Sequence, residues 1–239
     1  MPPEVITRLG ASVQPLVFET GLPDAPYSTR GTVFLVGHAG RAFVLTARHA
    51  LFPEDIAPIC VFPSDISQRI LPLKDVFFVH KDDVPDDFMD LAVIEIDMNG
   101  INDNEVGNAR LVDLALATGD WLSKSETAEM FVLGYPEEHS FVDYELETLT
   151  NHRWALRGRY AGPSALPYLH TLEVSDAHTL STFSGLSGGP VFAWIEHPGN
   201  EGEIILCGMV LRGTPISRRI HFLDRSVLLD ALNVKLTQA

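Results

Sequence analysis

The segment from Phe183 to Pro190 reads Phe-Ser-Gly-Leu-Ser-Gly-Gly-Pro and has the residue types of a turn that carries a nucleophile. Its glycines permit backbone angles that other residues avoid and keep side chains away from an approaching substrate. Backbone N–H groups in such a turn can converge on one point, as a developing oxyanion requires. Ser187 is therefore a candidate nucleophile, although an ordinary loop of glycine and serine has the same composition.

A serine attacks only when a base removes its proton, so a histidine and an orienting carboxylate are needed. Among the nine histidines, His49 closely follows the apolar strand candidate Phe43–Thr46, where a strand gives way to a turn. Asp90 directly precedes the apolar run Leu91–Ile94, so its carboxylate lies at the mouth of a buried strand. Taken singly, His49 can also be a loop histidine and Asp90 the end of an acidic run.

The elements that must hold these residues are short strands, because β-branched and aromatic runs alternate with Pro, Gly and Asp. The strand candidates are Gly31–Gly37, Arg41–Thr46, Ile59–Phe62, Val76–His80, Leu91–Ile96, Met130–Leu133, the region 148–160, Leu169–Val174, Val191–Ile195, Ile204–Leu211 and Arg219–Phe222.

The chain divides into two β-rich lobes by this pattern. We expect an N-terminal lobe with a lead-in arm over residues 1–110, a connection over 111–127, and a C-terminal lobe over 128–239. Apolar residues near the end recur at helical spacing, and Asp224 or Ser226 can serve as N-cap, which predicts a C-terminal helix.

Composition excludes several classes of protein. Acidic residues outnumber basic ones 32 to 17, for a formal charge of −15, which disfavours binding to nucleic acid and to anionic membrane surfaces. Two cysteines, Cys60 and Cys207, cannot form a disulfide framework. The N-terminus lacks the pattern of a signal peptide, and no apolar run approaches the roughly 20 residues of a membrane span. We therefore expect a cytoplasmic protein.

Together, three segments resemble the chymotrypsin/trypsin-like serine peptidase family. They are Thr-Ala-x-His at 46–49, Asp-Leu-Ala-Val at 90–93 and Gly-x-Ser-Gly-Gly-Pro at 185–190, in the order His, Asp, Ser. Leu206–Gly213 resembles the strand that follows the nucleophile and lines the substrate cleft. The resemblance extends from about residue 30 to residue 237, and the low cysteine content is similar to that of intracellular, bacterial-type members.

The resemblance implies an all-β fold of two antiparallel six-stranded β-barrels with a C-terminal helix and an active site between the barrels. It implies that His49 acts as general base and acid, that Asp90 orients its imidazole, and that Ser187 forms an acyl-enzyme. The N–H groups of Gly185 and Ser187 would form the oxyanion hole, with no metal or organic cofactor. The implied partner is a protein or peptide substrate, and we expect narrow specificity or a regulatory partner protein to restrain the activity.

Two residues depart from the family pattern. Leu186 stands where secreted relatives carry an aspartate that pairs with a newly cut N-terminus, so we expect no activation by N-terminal cleavage. Leu211 replaces a serine that usually supports the catalytic aspartate. We therefore expect the backbone N–H groups of Arg48 and His49 to support Asp90 instead.

The expected substrate specificity depends on four positions, Ser181, Asp176, Arg212 and Leu211. Ser181, six residues before the nucleophile, falls where trypsins carry an aspartate, and a neutral residue there favours an apolar or small substrate side chain. If the alignment contains a gap, Asp176 contributes instead. Arg212 stands where many relatives have an aromatic wall, so it either binds an acidic side chain or points to solvent. The main chain of Leu211, Arg212 and Gly213 would pair with the substrate by β-augmentation.

Two other functions stay open on the sequence. A protease-like fold can act as a protein-binding or scaffold module without turnover, although such a module has no chemical need for all three candidate residues. Gly185–Gly189 also fits the nucleophile elbow of α/β-hydrolases, but that fold requires the order Ser, acid, His. After Ser187 only His197 and His221 remain, and the alternation of strands and helices is missing.

Overall fold

The computed structural model describes the chain except at residues 1, 52–55, 57, 65–66, 68, 80–88, 101–109, 115–118, 146–147, 165, 167, 198–201 and 239, and except for the side chains of residues 100 and 178. His80, the last residue of one strand candidate, lies outside the described residues. The described strands are β1 (Val13–Leu22), β2 (Ala25–His38), β3 (Arg41–Thr46), β4 (Ile59–Cys60), β5 (Leu73–Phe78), β6 (Ala92–Ile96), β7 (Val112–Asp113), β8 (Glu129–Gly134), β9 (Ser140–Asp143), β10 (Thr148–Asn151), β11 (Trp154–Pro163), β12 (Leu169–Val174), β13 (Pro190–Ile195), β14 (Glu203–Thr214) and β15 (Arg219–Asp224). The α-helices of the described residues are Pro3–Gly10, near the N-terminal end, and Arg225–Thr237, near the C-terminal end.

The first lobe is a curled sheet with the strand order β4-β1-β2-β3-β6-β5, and β7 pairs in parallel with β2. We expected a closed six-stranded barrel here, and over the described residues the sheet does not close: β4 and β5 remain its edges. Strand β4 spans two residues and pairs only with β1 among the described strands. Over the described residues the first lobe is thus a curled half-barrel.

The second lobe is a closed antiparallel barrel with the strand order β11-β12-β15-β14-β13-β8. The C-terminal helix follows β15 directly, and its N-cap is Asp224, whose carboxylate accepts from the N–H of Ser226 at 2.8 Å. The expected all-β class, closed six-stranded second barrel and C-terminal helix are therefore confirmed. Among the described residues, no helix is both long and apolar enough to cross a membrane.

The N-terminal region differs from the lead-in arm that we expected. Residues Pro3–Gly10 form a helix, in which a proline at the first position costs nothing because its N–H would have no partner there. Strand β1 follows, and its first six residues are all buried. Continuous burial gives no alternation of apolar and polar residues, so the usual sign of a strand is missing from this stretch of sequence. Arg153 of the second lobe donates to the Gly10 carbonyl at 2.7 Å and fastens the helix.

The buried carboxylate of Glu95 connects three neighbouring strands of the first lobe. Glu95 of β6 accepts hydrogen bonds from Arg41 Nε of β3 at 3.2 Å and from Lys74 Nζ of β5 at 3.0 Å. Burial raises the pKa of Glu95, but the hydrogen bonds and charges of Lys74 and Arg41 outweigh it and hold the pKa below its ordinary value. The ionised carboxylate therefore links β3, β6 and β5 side by side.

Candidate active site

Strand pairing in the first lobe brings His49 and Asp90 to one edge of the sheet. Strands β3 and β6 are antiparallel with Thr46 opposite Ala92, so the end of β3 lies beside the start of β6. His49 follows β3 in a short 3-10 turn, and Asp90 lies just before β6. The N–H of Arg48 donates to the main-chain carbonyl of Asp90 at 3.3 Å and closes this edge.

The Asp90 carboxylate holds His49 at two points. One oxygen accepts from the His49 main-chain N–H at 2.8 Å, and the other forms a hydrogen bond with Nδ1 of the imidazole. The Asp90 side chain is 12% exposed and the His49 side chain 52%. A carboxylate on Nδ1 favours the tautomer with the proton there, so Nε2 is left as the acceptor on the open side. The N–H of His49 supports the carboxylate as expected, whereas that of Arg48 binds the Asp90 carbonyl.

Two glycines of the turn 184–189 have a backbone conformation that favours glycine, and main-chain oxygens leave no room for a Cβ atom at Gly189. Gly185 has φ +88° and Gly188 has φ +89°, in the left-handed region that other residues rarely adopt. A Cβ atom on Gly185 would collide with the main-chain oxygen of Tyr135 and lie 2.6 Å from the nitrogen of Glu137. Leu186 between them is fully buried in the second barrel. The turn is therefore packed tightly against the segment that follows β8.

Gly188 brings this turn against the first lobe. A Cβ atom there would collide with the carbonyl oxygen of Thr32 and lie 3.1 Å from the nitrogen of Ala47. Ala47 precedes His49 by two residues. The missing side chain of Gly188 therefore allows the turn 184–189, which carries the candidate nucleophile and is named the nucleophile turn, to approach the segment that carries the histidine. The Ser187 carbonyl also accepts from the N–H of Thr32 at 3.0 Å.

The Ser187 hydroxyl donates to the main-chain carbonyl of Leu211 at 2.9 Å. The ladder between β14 and β15 is irregular between Val210 and Arg212, so Leu211 has no opposite residue and its carbonyl turns toward the serine. Among the described residues, no hydrogen bond joins Ser187 to His49. A rotation of the Ser187 side chain between staggered positions would be needed to direct its hydroxyl at the imidazole.

Two main-chain donors of the turn are available to bind an incoming group. Within the described part of the chain, neither the N–H of Gly185 nor that of Ser187 donates a hydrogen bond. N–H groups two residues apart in a tight turn are the usual donors to a developing oxyanion. Their availability is what an oxyanion hole at Gly185 and Ser187 requires.

Ser181, one of the residues expected to bind the substrate, contacts a carboxylate that the sequence did not indicate. Ser181 is exposed, its N–H donates to Glu138 Oε1 at 2.9 Å, and its hydroxyl binds the other carboxylate oxygen. These hydrogen bonds hold the pKa of Glu138 below its ordinary value, so Glu138 is anionic at neutral pH. Arg212 is exposed and Gly213 half-buried, both in β14. The surroundings of Ser181 are therefore acidic rather than neutral.

Sequence reasoning missed Thr32 as well as Glu138. Residues 31–37 predicted only a strand, yet Thr32 is fully buried and hydrogen-bonded to the nucleophile turn. A hydroxyl residue at the start of an otherwise apolar buried run is the signal that could have found it, because a buried hydroxyl needs partners. No local sequence pattern indicates that Glu138 contacts Ser181.

A cavity of about 650 Å³ lies between the β1–β2 hairpin and the β9–β10 hairpin. Asp24, Tyr27, Asp143 and Tyr144 are among its lining residues. The lining includes none of the candidate catalytic or substrate-binding residues. The cavity is therefore separate from the candidate site at the turn 184–189.

The curled half-barrel, the closed six-stranded barrel and the C-terminal helix define a chymotrypsin-like protease fold. Among solved structures, the chain is similar to the Rv3671c protease from M. tuberculosis, in a crystal structure of its active form. The TM-score is 0.55 at 16% sequence identity, over 97% of this chain and 83% of that chain. At this identity the similarity establishes the fold alone. No family model matches the sequence, and neither does any curated protein.

Proposed function

We propose that this protein is a serine endopeptidase that hydrolyses peptide bonds in protein substrates through Ser187, His49 and Asp90. The observation that carries the proposal is the buried Asp90 carboxylate, which binds both the main-chain N–H and the Nδ1 of His49. A carboxylate in this position orients an imidazole and stabilises its charged form, as a general base requires. The N–H groups of Gly185 and Ser187 in the adjacent turn would bind the negative charge that develops on the substrate carbonyl oxygen.

In the proposed reaction, the Ser187 hydroxyl turns from Leu211 to His49 and attacks the substrate carbonyl carbon, while Nε2 takes its proton. The N–H groups of Gly185 and Ser187 bind the oxyanion of the tetrahedral intermediate. Collapse of the intermediate breaks the C–N bond, and His49 gives the proton to the leaving amine. A water molecule, deprotonated by His49, then hydrolyses the acyl-enzyme and restores the serine. Asp90 holds the imidazole throughout.

Substrate binding would itself free the nucleophile. Leu211 has no opposite residue in the β14–β15 ladder, and its carbonyl accepts from Ser187 at 2.9 Å. A substrate strand that pairs with Leu211–Gly213 would donate one of its own N–H groups to this carbonyl. The Ser187 hydroxyl would then lose its acceptor and turn to Nε2 of His49. The Ser187 hydroxyl would therefore face His49 only when a substrate strand is paired with Leu211–Gly213.

Specificity is proposed from the charge beside Ser181. The sequence favoured an apolar or small substrate side chain, but the Glu138 carboxylate lies against Ser181 and stays ionised. We expect a peptide-library cleavage profile to favour Lys or Arg next to the cleaved bond. The Glu138→Gln variant keeps one acceptor oxygen for Ser181 and removes the charge, so it should lose this preference. An unchanged profile in that variant would exclude Glu138, and a preference for acidic side chains would indicate Arg212 instead.

The proposal is tested by labelling with a serine-directed fluorophosphonate. The wild type and the control Ser123→Ala, which alters an exposed serine in the 121–127 turn, should label equally, with the adduct mapped to Ser187 by mass spectrometry. Ser187→Ala should not label, and its turnover, like that of His49→Ala, should fall on the order of a million-fold. Equal labelling of Ser187→Ala and the wild type would exclude Ser187 as the nucleophile.

A protein-binding module without turnover is the second candidate function. The observation that favours it is the Ser187 hydroxyl, which binds Leu211 and not His49. A folded wild type that neither labels nor cleaves, and that binds a protein ligand as tightly as Ser187→Ala does, would support this second function. Labelling of the wild type at Ser187 would exclude it.

A further inference from the structure

Thr32 joins the two lobes at the candidate active site. It lies in β2 and is fully buried. The pairing of β2 with β3 ends at Phe34, so the polar groups of Thr32 are free to reach the second lobe. Its N–H donates to the Ser187 carbonyl at 3.0 Å, and its hydroxyl donates to the Gly185 carbonyl at 2.7 Å. The same hydroxyl accepts from the N–H of Tyr135 at 2.9 Å.

Four successive carbonyls of the nucleophile turn, at residues 184–187, are held by hydrogen bonds. The N–H of Glu137 holds the first at 2.9 Å, and the N–H of Gly189 holds the third at 2.9 Å. Thr32 holds the second with its hydroxyl and the fourth with its N–H. The Thr32 hydroxyl is the one side-chain group among these four donors.

These bonds set the direction of the two oxyanion donors. In a trans peptide the C=O and the following N–H point in opposite directions. The Ser184 carbonyl therefore directs the Gly185 N–H, and the Leu186 carbonyl directs the Ser187 N–H. The peptide between Gly185 and Leu186 lies between them, and its orientation fixes the angle between the two donors. Within the described residues, its other hydrogen bond runs from the Leu186 N–H to the Phe183 carbonyl, at 3.2 Å.

We propose that Thr32 is a positioning residue for the oxyanion hole: its hydroxyl locks the Gly185–Leu186 peptide so that both N–H donors face the reacting carbonyl. The inference rests on the proposed function. The hydroxyl acts through Gly185 and touches no reacting atom. Because Thr32 belongs to the sheet that carries His49 and Asp90, the same contact keeps the oxyanion hole in register with the base.

The test compares variants that remove one buried hydroxyl each. Thr32→Val removes the hydroxyl and with it the proposed contact. Thr32→Ser keeps the hydroxyl and is the conservative variant. Thr46→Val is the matched control, because the Thr46 hydroxyl is equally buried at the same junction but donates only to the Thr32 carbonyl, at 2.8 Å. Should Thr32→Val fail to fold, Thr32→Ala removes the same hydroxyl from a smaller side chain. For each variant kcat, KM and urea unfolding are measured with one peptide substrate.

We expect kcat of Thr32→Val to fall about 10- to 100-fold, less than the loss of a whole oxyanion donor, with KM changed by less than about threefold. Thr32→Ser should recover kcat to within about threefold of the wild type, and Thr46→Val should keep it while losing stability. If Thr32→Val keeps the wild-type kcat, or if Thr46→Val loses as much, Thr32 only fastens the lobes and the inference is wrong.

A crystal structure of Thr32→Val separates this inference from the proposed function. A wild type without turnover would refute the proposed peptidase activity. The direction of the Gly185 carbonyl in the two crystal structures would still test the positioning role of Thr32. A Gly185 carbonyl that turns away from residue 32 in the variant supports the positioning role. A carbonyl and N–H groups that stay in place overturn it, whatever the activity.

Discussion

Replacing Gly185 with alanine would place a methyl group where the nucleophile turn meets the segment after β8. Its Cβ would collide with the Tyr135 carbonyl oxygen and lie 2.6 Å from the Glu137 nitrogen. A carbon atom packs at about 3.5 Å from other heavy atoms, so the contact with the Glu137 nitrogen alone requires a shift of roughly 0.9 Å, and the closer contact with the Tyr135 oxygen requires more. The atoms it would meet belong to the main chain, so no neighbouring side chain can turn aside. The Gly185 N–H would therefore leave the oxyanion position.

The size of the effect follows from that displacement. A misplacement of about 1 Å costs about 10²-fold in rate, and loss of one oxyanion donor costs about 10²–10³-fold. Gly185→Ala should therefore lower kcat by about 10²–10³-fold, or about 2.7–4 kcal/mol. The positive φ of +88° adds a stability loss of about 1–2 kcal/mol for any residue with a Cβ.

Gly40→Ala is the matched control for this prediction. Gly40 has φ +75°, and a Cβ atom added to it would meet no described atom within 4 Å, so the variant has the backbone strain without the collision. Urea unfolding should detect the strain in both variants, whereas steady-state kinetics on a peptide substrate should detect a loss of kcat only in Gly185→Ala. If Gly185→Ala keeps kcat within about threefold of Gly40→Ala, the geometry assigned to the oxyanion hole is wrong.

Three further predictions concern Asp90, the buried carboxylate of Glu95 and the two cysteine thiols. Asp90→Asn favours the wrong tautomer of His49 and should lower kcat about 10⁴-fold in steady-state assays, with urea unfolding changed little. Glu95→Gln should lower the free energy of unfolding by about 1–3 kcal/mol at neutral pH, because two cations lose a charged acceptor. Since folding lowers the pKa of Glu95 from 4.5, this stability is present above that pH and lost as pH falls through the folded-state pKa, so urea unfolding of variant and wild type should converge in acid. Burial raises the pKa of Cys60 to about 11 and also raises that of Cys207, so iodoacetamide at neutral pH should modify neither until the protein unfolds, and rapid modification of the native protein in mass spectra would contradict this.

Local sequence was sufficient where an element buries one face on the barrel core. Leu169–Val174 was predicted as a strand and is observed as β12 with the same bounds. Its polar positions alternate in part with buried apolar ones, which is the pattern of a half-buried strand. The C-terminal helix follows from helical spacing in the same way, with Asp224 as its cap. The N-terminal helix was missed because eight residues, about two turns, are too few to recognise a helical pattern, and β1 was missed because it is buried on both faces at its start.

The sequence by itself determined which candidate groups for chemistry are present: a serine in a glycine turn, a histidine after one strand and an aspartate before another. Tertiary structure decided how those groups are held. Thr32 reaches Gly185 across 153 residues of sequence, and Glu138 reaches Ser181 across 43. Such contacts depend on which carbonyls and carboxylates the two lobes bring within about 3 Å of their donors. No periodicity or motif encodes them, because a local pattern reports which face of an element is buried and not which residue of the other lobe lies opposite.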